Sequence, residues 1–533
     1  MLWQLLQKEK KDIVYLYLYA VLSGLVNLSL PLGIQAIISL LNAGIFASSL
    51  YIIAAIVICG VAFYGVLQIF QLEIVERIRQ KIYLEGAFRF TQSFTNSNDS
   101  QLDNINLPER ANRFFDILSM QKNLPKILID FTSAALQIIF GLLLLTMYHP
   151  VFAAIGVSVI AFLVITIWLQ HKSTFYNGVS ASKKKYATVY WLQKVARSVL
   201  MFKHAGNNLY ADDNTDAIST EYIISRNKYF KGLKKHYIIL TIFKTLVAAA
   251  ILLVGSWLVW DAKMNIAQLV ASEIVIVLTL AAAEKLMFTV DAAYDLLIAN
   301  YKVQDVLQLP QEKEPTVAYI QPSENTFSLF AEITLPEVSF SLQLNEGEKL
   351  CISGLEEVHR RHITKMFLGF DEKEYGKISF NKVLFQDLPL HYIRKIISEN
   401  ILQEVILPGS IYENIALQKT PLPADIVTQV LTITRLNDWI GQQPEGLSAH
   451  LDPDVTYIPK NIRRRLVLAR TLLQSPKLLL FKVFYNDAEY NEIAADVIDA
   501  YPNIAMIVFS EEEVIKNKCN NFIDINNLLD SAH

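Results

Sequence analysis

Six apolar stretches, each about 20 residues long or longer, lie within the first 290 residues of this 533-residue chain. A helix of about 20 apolar residues can cross the hydrocarbon core of a bilayer. Over the whole chain 53% of the residues are hydrophobic and 19% are charged, whereas soluble domains are about 25% charged. The sequence therefore predicts a helical membrane domain with spans at 13–41, 49–72, 124–148, 150–170, 237–260 and 265–288.

Basic residues beside the spans predict how the domain is oriented. Lys10 and Lys11 precede the first span, and a run of three lysines at 183–185 follows the fourth. The connections at 42–48 and 148–150 contain no Lys or Arg. Because basic loops stay on the cytoplasmic side, we expect a multi-pass protein of the cell membrane with both termini in the cytoplasm.

The connections between the spans differ in length on the two sides. The three outer connections are short, whereas the two inner ones have about 50 and about 65 residues, near positions 100 and 200. Both inner loops are polar and have a helical, amphipathic pattern with little Gly or Pro. We therefore expect the spans to continue as helices into the cytoplasm, far enough to reach a soluble domain.

From about residue 327 the pattern changes to short strand-like runs that alternate with amphipathic helices. This plan of six spans, two long inner loops and a soluble C-terminal domain resembles the type-1 exporter half of the ABC superfamily, as do the segments 268–271 and 308–310. The segment 112–116 is similar to the branch that exports peptides, bacteriocins and repeat toxins. The resemblance implies three regions, namely a membrane domain at 1–304, a linker at 305–326 and a nucleotide-binding domain at 327–533.

A strand, a glycine and a helix follow one another around Gly354, where an ABC ATPase carries its phosphate-binding loop. Such a loop needs glycine N–H groups around the phosphates, a Lys for the outer phosphates and a Ser or Thr for Mg²⁺. Here the Lys and Ser positions hold Arg360 and Arg361, while Glu356 and Glu357 place negative charge where a triphosphate would lie. The implied fold is an α/β ABC-ATPase-like domain with a degenerate phosphate loop.

The other nucleotide motifs of the family are altered too, apart from one glutamine. Gln403 occupies the glutamine-loop position, although a surface glutamine at a strand end would look the same. The substitutions are Pro459-Lys460-Asn461 for the Ser-Gly-Gly of the signature, Lys482 and Val483 for the Asp and Glu after the next long strand, and Glu511 for the switch His. Those acids would bind Mg²⁺ and activate water.

These substitutions together imply a chain that is not an ATPase by itself. The remnants of the nucleotide site are Gly354, Arg360, Arg361 and Gln403, with no catalytic residue and no metal site. We expect no cofactor of its own and ATP–Mg only through a competent partner.

Glu273 lies well inside the sixth predicted span. Ionisable residues within a bilayer are costly and often functional, so Glu273 is a candidate for the substrate path, with an inter-helix hydrogen bond or a packing role as the alternative. Lys244, Asp130, Glu284 and Lys285 lie nearer the cytoplasmic ends of their spans. There we expect snorkelling or helix extension to remove most of the cost.

Two further patterns argue against other functions. The net charge of −3 and the absence of a basic stripe alternating with aromatics exclude a general nucleic-acid binder. We expect the arginine run at 463–465 to form a solvated helix face. The cysteines Cys59, Cys351 and Cys519 are far apart in sequence, which predicts buried structural thiols rather than a metal site or a disulfide framework.

The function expected from the resemblance is that of a subunit of an ABC-type export complex. The chain would contribute the transmembrane pathway and an inactive nucleotide-binding domain. Its partner would be a hydrolysis-competent half-transporter in a heterodimer, with a periplasmic adaptor as a further component. Either that partner works with the altered signature of this chain, or the complex contains two active subunits in addition to this one. The alternative is a membrane scaffold or regulator without ATP-driven transport, and a third hypothesis is an enzyme or a passive channel.

Overall fold

The chain forms two compact units in a computed structural model. One unit comprises Met1–Ser97 and Asn104–Gln311, and the other comprises Asn98–Asp103 and Glu312–His533. Most of the predicted linker at 305–326 lies outside the described residues. The structure describes residues 6–44, 48–102, 105–263, 266–312, 327–336, 338–370, 378–453, 457–484 and 487–527, without several side chains between 153 and 173 and those at 240 and 251.

The first unit is built from helices alone among the residues that the structure describes. Its α-helices are α1 (Lys10–Asn27), α2 (Ser29–Asn42), α3 (Ser48–Thr95), α4 (Leu107–Ala111), α5 (Phe115–Pro125), α6 (Thr132–Tyr148), α7 (Pro150–Arg197), α8 (Val199–Ala205), α9 (Leu209–Trp260) and α10 (Ile266–Leu307). A 3₁₀ turn at Asn112–Phe114 and a π-helical stretch at Lys126–Phe131 make α4, α5 and α6 one continuous rod. The long helices α3, α7 and α9 confirm that the spans continue into the inner loops, and α10 likewise continues past the sixth predicted span to Leu307.

Five helical segments in the described part of the chain are long and apolar enough to cross a membrane. They are Lys10–Asn42, Ser48–Thr95, Leu107–Tyr148, Leu209–Trp260 and Ile266–Leu307. These segments contain five of the six predicted spans. The remaining one, 150–170, falls in the first half of α7, where several side chains lie outside the described residues. The unit is a multi-pass helical membrane domain.

Local sequence explains where the inner helices begin and end. Helix α7 starts at Pro150, whose fixed φ suits the first helical position, and the side chain of His149 accepts the N–H of Val151 at 3.3 Å. Helix α8 ends at Gly206, which adopts φ +70°, a conformation that costs glycine little. The short helix α8 therefore forms a separate tip between α7 and α9.

The second unit contains two main sheets. Its strands are β1 (Ser328–Thr334), β2 (Ser339–Asn345), β3 (Lys349–Ser353), β4 (Ile378–Phe380), β5 (Val383–Leu384), β6 (Ile397–Glu399), β7 (Gly409–Ser410), β8 (His450–Leu451), β9 (Leu478–Lys482), β10 (Ala505–Phe509) and β11 (Asn521–Asp524). Strands β2-β1-β4-β5 form an antiparallel sheet, and β11-β3-β10-β9-β6 form a parallel one. Short strands β7 and β8 pair separately.

The helices of this unit pack mainly around the parallel sheet. They are α11 (Glu357–Phe367), α12 (Leu390–Ile396), α13 (Ile411–Ala416), α14 (Ala424–Ile433), α15 (Asn437–Gly441), α16 (Lys460–Leu473), α17 (Ala488–Ala500) and α18 (Glu513–Lys516). Successive side chains of β9 alternate between two apolar cores, with Leu478 and Leu480 in one and Leu479 and Phe481 in the other. Burial on both faces explains why this strand is apolar throughout.

The cysteines only partly fit the prediction of buried thiols. Cys351 is buried in β3 and Cys519 is half-buried, but Cys59 is exposed on α3. The prediction is therefore wrong for Cys59. An exposed thiol on this apolar helix is compatible with a position facing lipid, because cysteine behaves as a small apolar residue.

A buried lysine closes one end of the parallel sheet. Lys349, which is 4% exposed, donates through Nζ to the carbonyl oxygens of Gly347 and Tyr501, both at 3.0 Å, and of Pro502 at 3.3 Å. It also donates to the carbonyl of Ile504. Burial lowers the pKa of Lys349 to about 8. One side chain thus binds three carbonyl groups between α17 and β10 and a fourth, that of Gly347, in the turn before β3.

Replacing this lysine should destabilise the second unit. In Lys349→Met the four carbonyl groups lose their shared donor, so we expect the free energy of unfolding to fall by about 1–3 kcal/mol. Denaturant unfolding of the detergent-solubilised chain measures this change. Lys395→Met, which changes an exposed lysine of the same unit, is the matched control. Equal stability of the two variants would contradict the role of Lys349.

Candidate nucleotide site

The predicted strand, glycine and helix are present in the second unit. Strand β3 ends at Ser353, Gly354 turns with φ +76°, and α11 begins at Glu357. A Cβ atom added at Gly354 would lie 2.7 Å from Nδ2 of Asn526, so the turn requires glycine for space as well as for conformation. The backbone frame of the predicted loop is retained around Gly354.

An ion pair joins the start of α11 to the end of β9. Nζ of Lys482 lies 2.6 Å from Oε2 of Glu357, and Nη2 of Arg360 approaches the same oxygen at 3.3 Å. The side chain of Lys482 is 17% exposed and that of Glu357 is 45% exposed. Glu357 therefore pairs both with Arg360 of the same helix and with Lys482, the residue at the first predicted acid position.

The charge state of Glu357 follows from these neighbours. Burial acts to raise the pKa of Glu357, but the hydrogen bond and charge of Lys482, with the charges of Arg360 and Arg361, lower it overall. Glu357 is therefore a carboxylate at neutral pH, and its negative charge lies at the N-terminus of α11. This is the end of a helix that favours anions, including phosphate.

A second carboxylate takes a backbone donor of the loop. Oε1 of Glu511 accepts the N–H of Gly354 at 2.9 Å. Glu511 follows β10 and occupies the position predicted for the switch His. Glu511 and Lys482 occupy two of the substituted positions, and both bond to the loop. The sequence predicts that this loop lacks the residues that would bind the phosphates of ATP.

The end of β9 is held by a residue that the sequence reasoning missed. Oδ1 of Asn400 accepts the N–H of Lys482 at 2.7 Å, and its Nδ2 donates to the carbonyl of Lys482 at 3.1 Å and to the hydroxyl of Tyr490 at 3.0 Å. Next to Lys482, Val483 is buried in an apolar core. Asn400 lies beyond the end of β6, and sequence alone does not reveal which strand lies beside β6.

Two predicted remnants do not join this network. Arg361 and Gln403 are exposed, and within the described residues no hydrogen bond connects either side chain to Glu357 or Lys482. The turn before Gln403 is shaped by Glu399, whose Oε2 accepts the N–H of Leu402 at 2.7 Å. Gln403 lies at the surface, a position that both a glutamine-loop role and a plain surface role allow.

The described residues contain no cluster suited to a metal ion. No group of three or more His, Cys, Asp or Glu side chains comes together within the described ranges. At the end of β9, Lys482 and Val483 offer no carboxylate oxygen, which is the ligand that Mg²⁺ prefers.

The helix after the predicted signature begins without a side-chain cap. Pro459 is the N-cap of α16, and no side chain accepts a hydrogen bond from its first turn. Lys460 and Asn461 are exposed there. The side chains exposed at this helix end are therefore the ammonium of Lys460 and the amide of Asn461.

The prediction of a solvated face for the arginine run is wrong for two of its members. The side chains of Arg464 and Arg465 are only 17% and 7% exposed. The guanidinium of Arg464 stacks 3.5 Å from the ring of Phe484 and lies 3.2 Å from Glu404, and Arg465 pairs with Glu489. These arginines tie α16 to its neighbours, because each has an acidic partner from another element.

In the helical unit, Glu273 is exposed on α10, while its neighbours Ser272 and Val275 are buried. The buried face of α10 lies close to α6, since a Cβ atom added at Gly141 would be 2.6 Å from Oγ1 of Thr279. Glu273 therefore points away from this helix contact. The inter-helix hydrogen bond proposed as an alternative has no counterpart among the described contacts of Glu273.

The other charged residues near the span ends pair with each other. Lys244 and Glu284 form an ion pair, and Nζ of Lys285 lies 2.8 Å from Oδ1 of Asp130. Each pair joins two helices, so mutual neutralisation adds to the helix extension that the sequence predicts. This arrangement favours the structural interpretation of these four residues over a role in transport.

The branch-like segment 112–116 lies in the polar core of the inner helices. Asn112 and Gln193 exchange two amide hydrogen bonds at 3.0 and 3.2 Å. Arg113, which is 7% exposed, pairs with Asp305, and the carboxylate of Asp116 is 3% exposed. The segment therefore fixes how α4 and α5 pack on α7 and α10.

The tip of the first inner loop belongs to the C-terminal unit. Asn98–Asp103 groups with Glu312–His533, and Asp99 forms an ion pair with Lys365 of α11. Within the same unit both oxygens of Glu312 accept hydrogen bonds from Arg394 at 2.7 Å. Two segments that precede the first strand in sequence are thus anchored by ion pairs.

Sequence comparison finds export proteins over part of the chain. No protein-family model matches. The chain is 20% identical over 282 residues to the lactococcin-G-processing and transport ATP-binding protein of Lactococcus lactis subsp. lactis. This alignment covers 50% of this chain and 40% of that protein. It is 24% identical over 237 residues to a leukotoxin translocation ATP-binding protein of Mannheimia haemolytica, covering 43% and 33%. The matched segments thus span less than half of either relative.

The comparison of structures covers nearly the whole chain. A bacterial Atm1-family ABC exporter, solved with ATP bound, superposes with a TM-score of 0.82 over 97% of this chain and 93% of that one, at 14% identity. The chain has the fold of an ABC exporter. This fold confirms the prediction of a helical membrane domain followed by an α/β domain.

Proposed function

We propose that the chain is a subunit of an ABC-type export complex that supplies part of the transmembrane pathway and a catalytically inactive nucleotide-binding domain. The observation that supports this most is the ion pair between Lys482 and Glu357. It joins the two elements between which an ABC ATPase would hold Mg²⁺ and the outer phosphates of ATP. A chain that hydrolysed ATP would need a metal-binding acid in place of Lys482.

Electrostatics supports the loss of nucleotide binding. Glu357 and Glu511 both lie at the loop, and Glu511 accepts the N–H of Gly354. A triphosphate there would have to displace Glu511 from the N–H of Gly354 and Glu357 from its pair with Lys482. The negative charge of a phosphate at the N-terminus of a helix is normally stabilised by free backbone N–H groups.

Hydrolysis in the complex would then come from a partner. We propose a half-transporter with intact motifs, so that ATP–Mg is bound only through that partner and no cofactor belongs to this chain itself. The exposed Lys460 and Asn461 would stand where the partner's nucleotide normally meets a signature. The pair would lie in the cell membrane with both termini of this chain in the cytoplasm, and a periplasmic adaptor would complete an export path.

Purification of the tagged chain from its native membrane tests this proposal. We expect a second half-transporter with a complete phosphate loop to co-purify, and the complex to hydrolyse ATP. Changing the partner's loop lysine should abolish that turnover, whereas Arg360→Ala in this chain should leave it within about twofold. Recovery of this chain with no such partner would contradict the proposal and would favour a scaffold or regulator.

Glu273 gives a separate prediction for the transport path. Its exposed carboxylate lies within a predicted span, where contact with lipid would be costly. We expect Glu273→Gln to change export by the native complex several-fold while the amount of assembled complex stays the same. Lys263→Gln, which alters a charge in the short outer turn, is the control. Unchanged export would leave Glu273 with a packing role.

A further inference from the structure

Helix α11 carries an ion pair near each end. Glu357 in its first turn pairs with Lys482 of β9, and Lys365 in its last turn pairs with Asp99 of the inner-loop tip. The two helix positions are eight residues apart, which corresponds to about 12 Å along the axis. A single rigid element therefore connects the altered nucleotide site to the segment 98–102.

We propose that the Glu357–Lys482 pair is a built-in substitute for bound Mg–nucleotide, which holds α11 and its Asp99 anchor in one position whether or not ATP is present. This inference rests on the proposed function, in which the site binds no ATP. The carboxylate of Glu357 takes the place of a phosphate, and the ammonium group of Lys482 takes the place of the metal ion. Opposite charges thus bridge α11 and β9 permanently.

The surroundings make this bridge more than an exposed ion pair. Isolated surface pairs contribute little, and Glu357 is 45% exposed. However, Asn400 binds both backbone groups of Lys482, at 2.7 and 3.1 Å. Glu511 holds the turn at Gly354 with a 2.9 Å hydrogen bond. The backbone on both sides of the bridge is therefore held in place, and the side chain of Lys482, which is 17% exposed, is partly shielded from water.

The body of α11 transmits this position to its other end. Ile363 and Phe367 are each 0% exposed and belong to the core between the two sheets. Their packing prevents the helix from bending between its two ion pairs. At the far end, Oδ1 of Asn98 accepts the N–H of Ser100 at 3.1 Å, which shapes the turn that presents Asp99. The tip is thus anchored on a helix that no nucleotide moves.

Hydrogen–deuterium exchange on the detergent-solubilised full chain tests the proposal. Addition of Mg·ATP should leave exchange at 98–102 and in α11 unchanged. Lys482→Met should speed exchange in both segments about fivefold and lower the melting temperature of the unit by roughly 2–4 °C. Glu357→Gln should do the same, and the double variant should be no worse than either single one. Lys395→Met, an exposed lysine of the same unit, should have no effect.

Two results would overturn the inference. Additive effects of Glu357→Gln and Lys482→Met would mean that the two residues are not coupled. Faster exchange in α11 without any change at 98–102 would mean that the helix does not transmit its position to the tip. Both results are independent of ATP turnover, so the inference can fail while the proposed function stands. Protection of α11 by Mg·ATP in the unchanged chain would instead contradict both.

Discussion

Removal of residues 327–533 should abolish assembly of the export complex while the spans still enter the membrane. Segment 98–103 belongs to the second unit, where Asp99 pairs with Lys365, so the truncated chain would lose the partner of Asp99. We expect recovery of partner chains with the tagged protein to fall at least about tenfold, the equivalent of roughly 1.4 kcal/mol in binding. Co-purification from native membrane measures this.

The variant Arg360→Ala is the control for this truncation, since it changes one residue of the candidate nucleotide site but keeps residues 327–533. It should assemble normally, and membrane fractionation should show both proteins in the bilayer. If the truncated chain assembled and exported as well as the control, the soluble unit would have no coupling role. The core and the ion pairs of that unit would then have no function in export.

Restoring the phosphate-loop residues alone should not create an ATPase. In the double variant Arg360→Lys and Arg361→Ser, the loop regains its lysine and hydroxyl, but Lys482 and Val483 still provide neither a metal ligand nor a base. Loss of a general base alone typically slows a reaction by about 10²–10⁴. We therefore expect phosphate release by the purified double variant to equal that of the unchanged chain.

The variant should remain folded, because Arg361 is exposed and Arg360 contacts Glu357 only at 3.3 Å. A melting curve close to that of the unchanged chain is the control for this. Turnover near 1 s⁻¹, at the low end of ordinary enzymes, would show that the substituted acids were not needed. It would also remove the main reason for calling the site inactive.

The sequence predicts the helical framework well because membrane spans obey a strong physical rule. Apolar length alone identifies helices such as α3 and α10, since a bilayer requires about 20 residues without charge. The strand, glycine and helix at Gly354 are likewise predictable, because a turn with φ of +76° favours glycine strongly. These features depend on local sequence or on composition.

Contacts between distant positions could not be predicted in this way. The pairing of Glu357 with Lys482 joins residues 125 positions apart, and only the order of the strands in the parallel sheet brings them together. Arg464 looks like a surface residue in sequence, yet its partners Glu404 and Asp487 lie on other elements. The use of Asn400 as a clamp depends on the same sheet order.

Binding and hydrolysis of ATP by the purified chain test the central claim most directly. With Mg²⁺ and millimolar ATP, we predict no phosphate release above background and no change in melting temperature. At about 1 mM ATP, a dissociation constant of about 10 μM would stabilise the fold by about 2.7 kcal/mol, so binding of this strength would be visible as a rise in melting temperature. Mg²⁺-dependent turnover of about 1 s⁻¹ that disappears in Arg360→Ala would contradict the account.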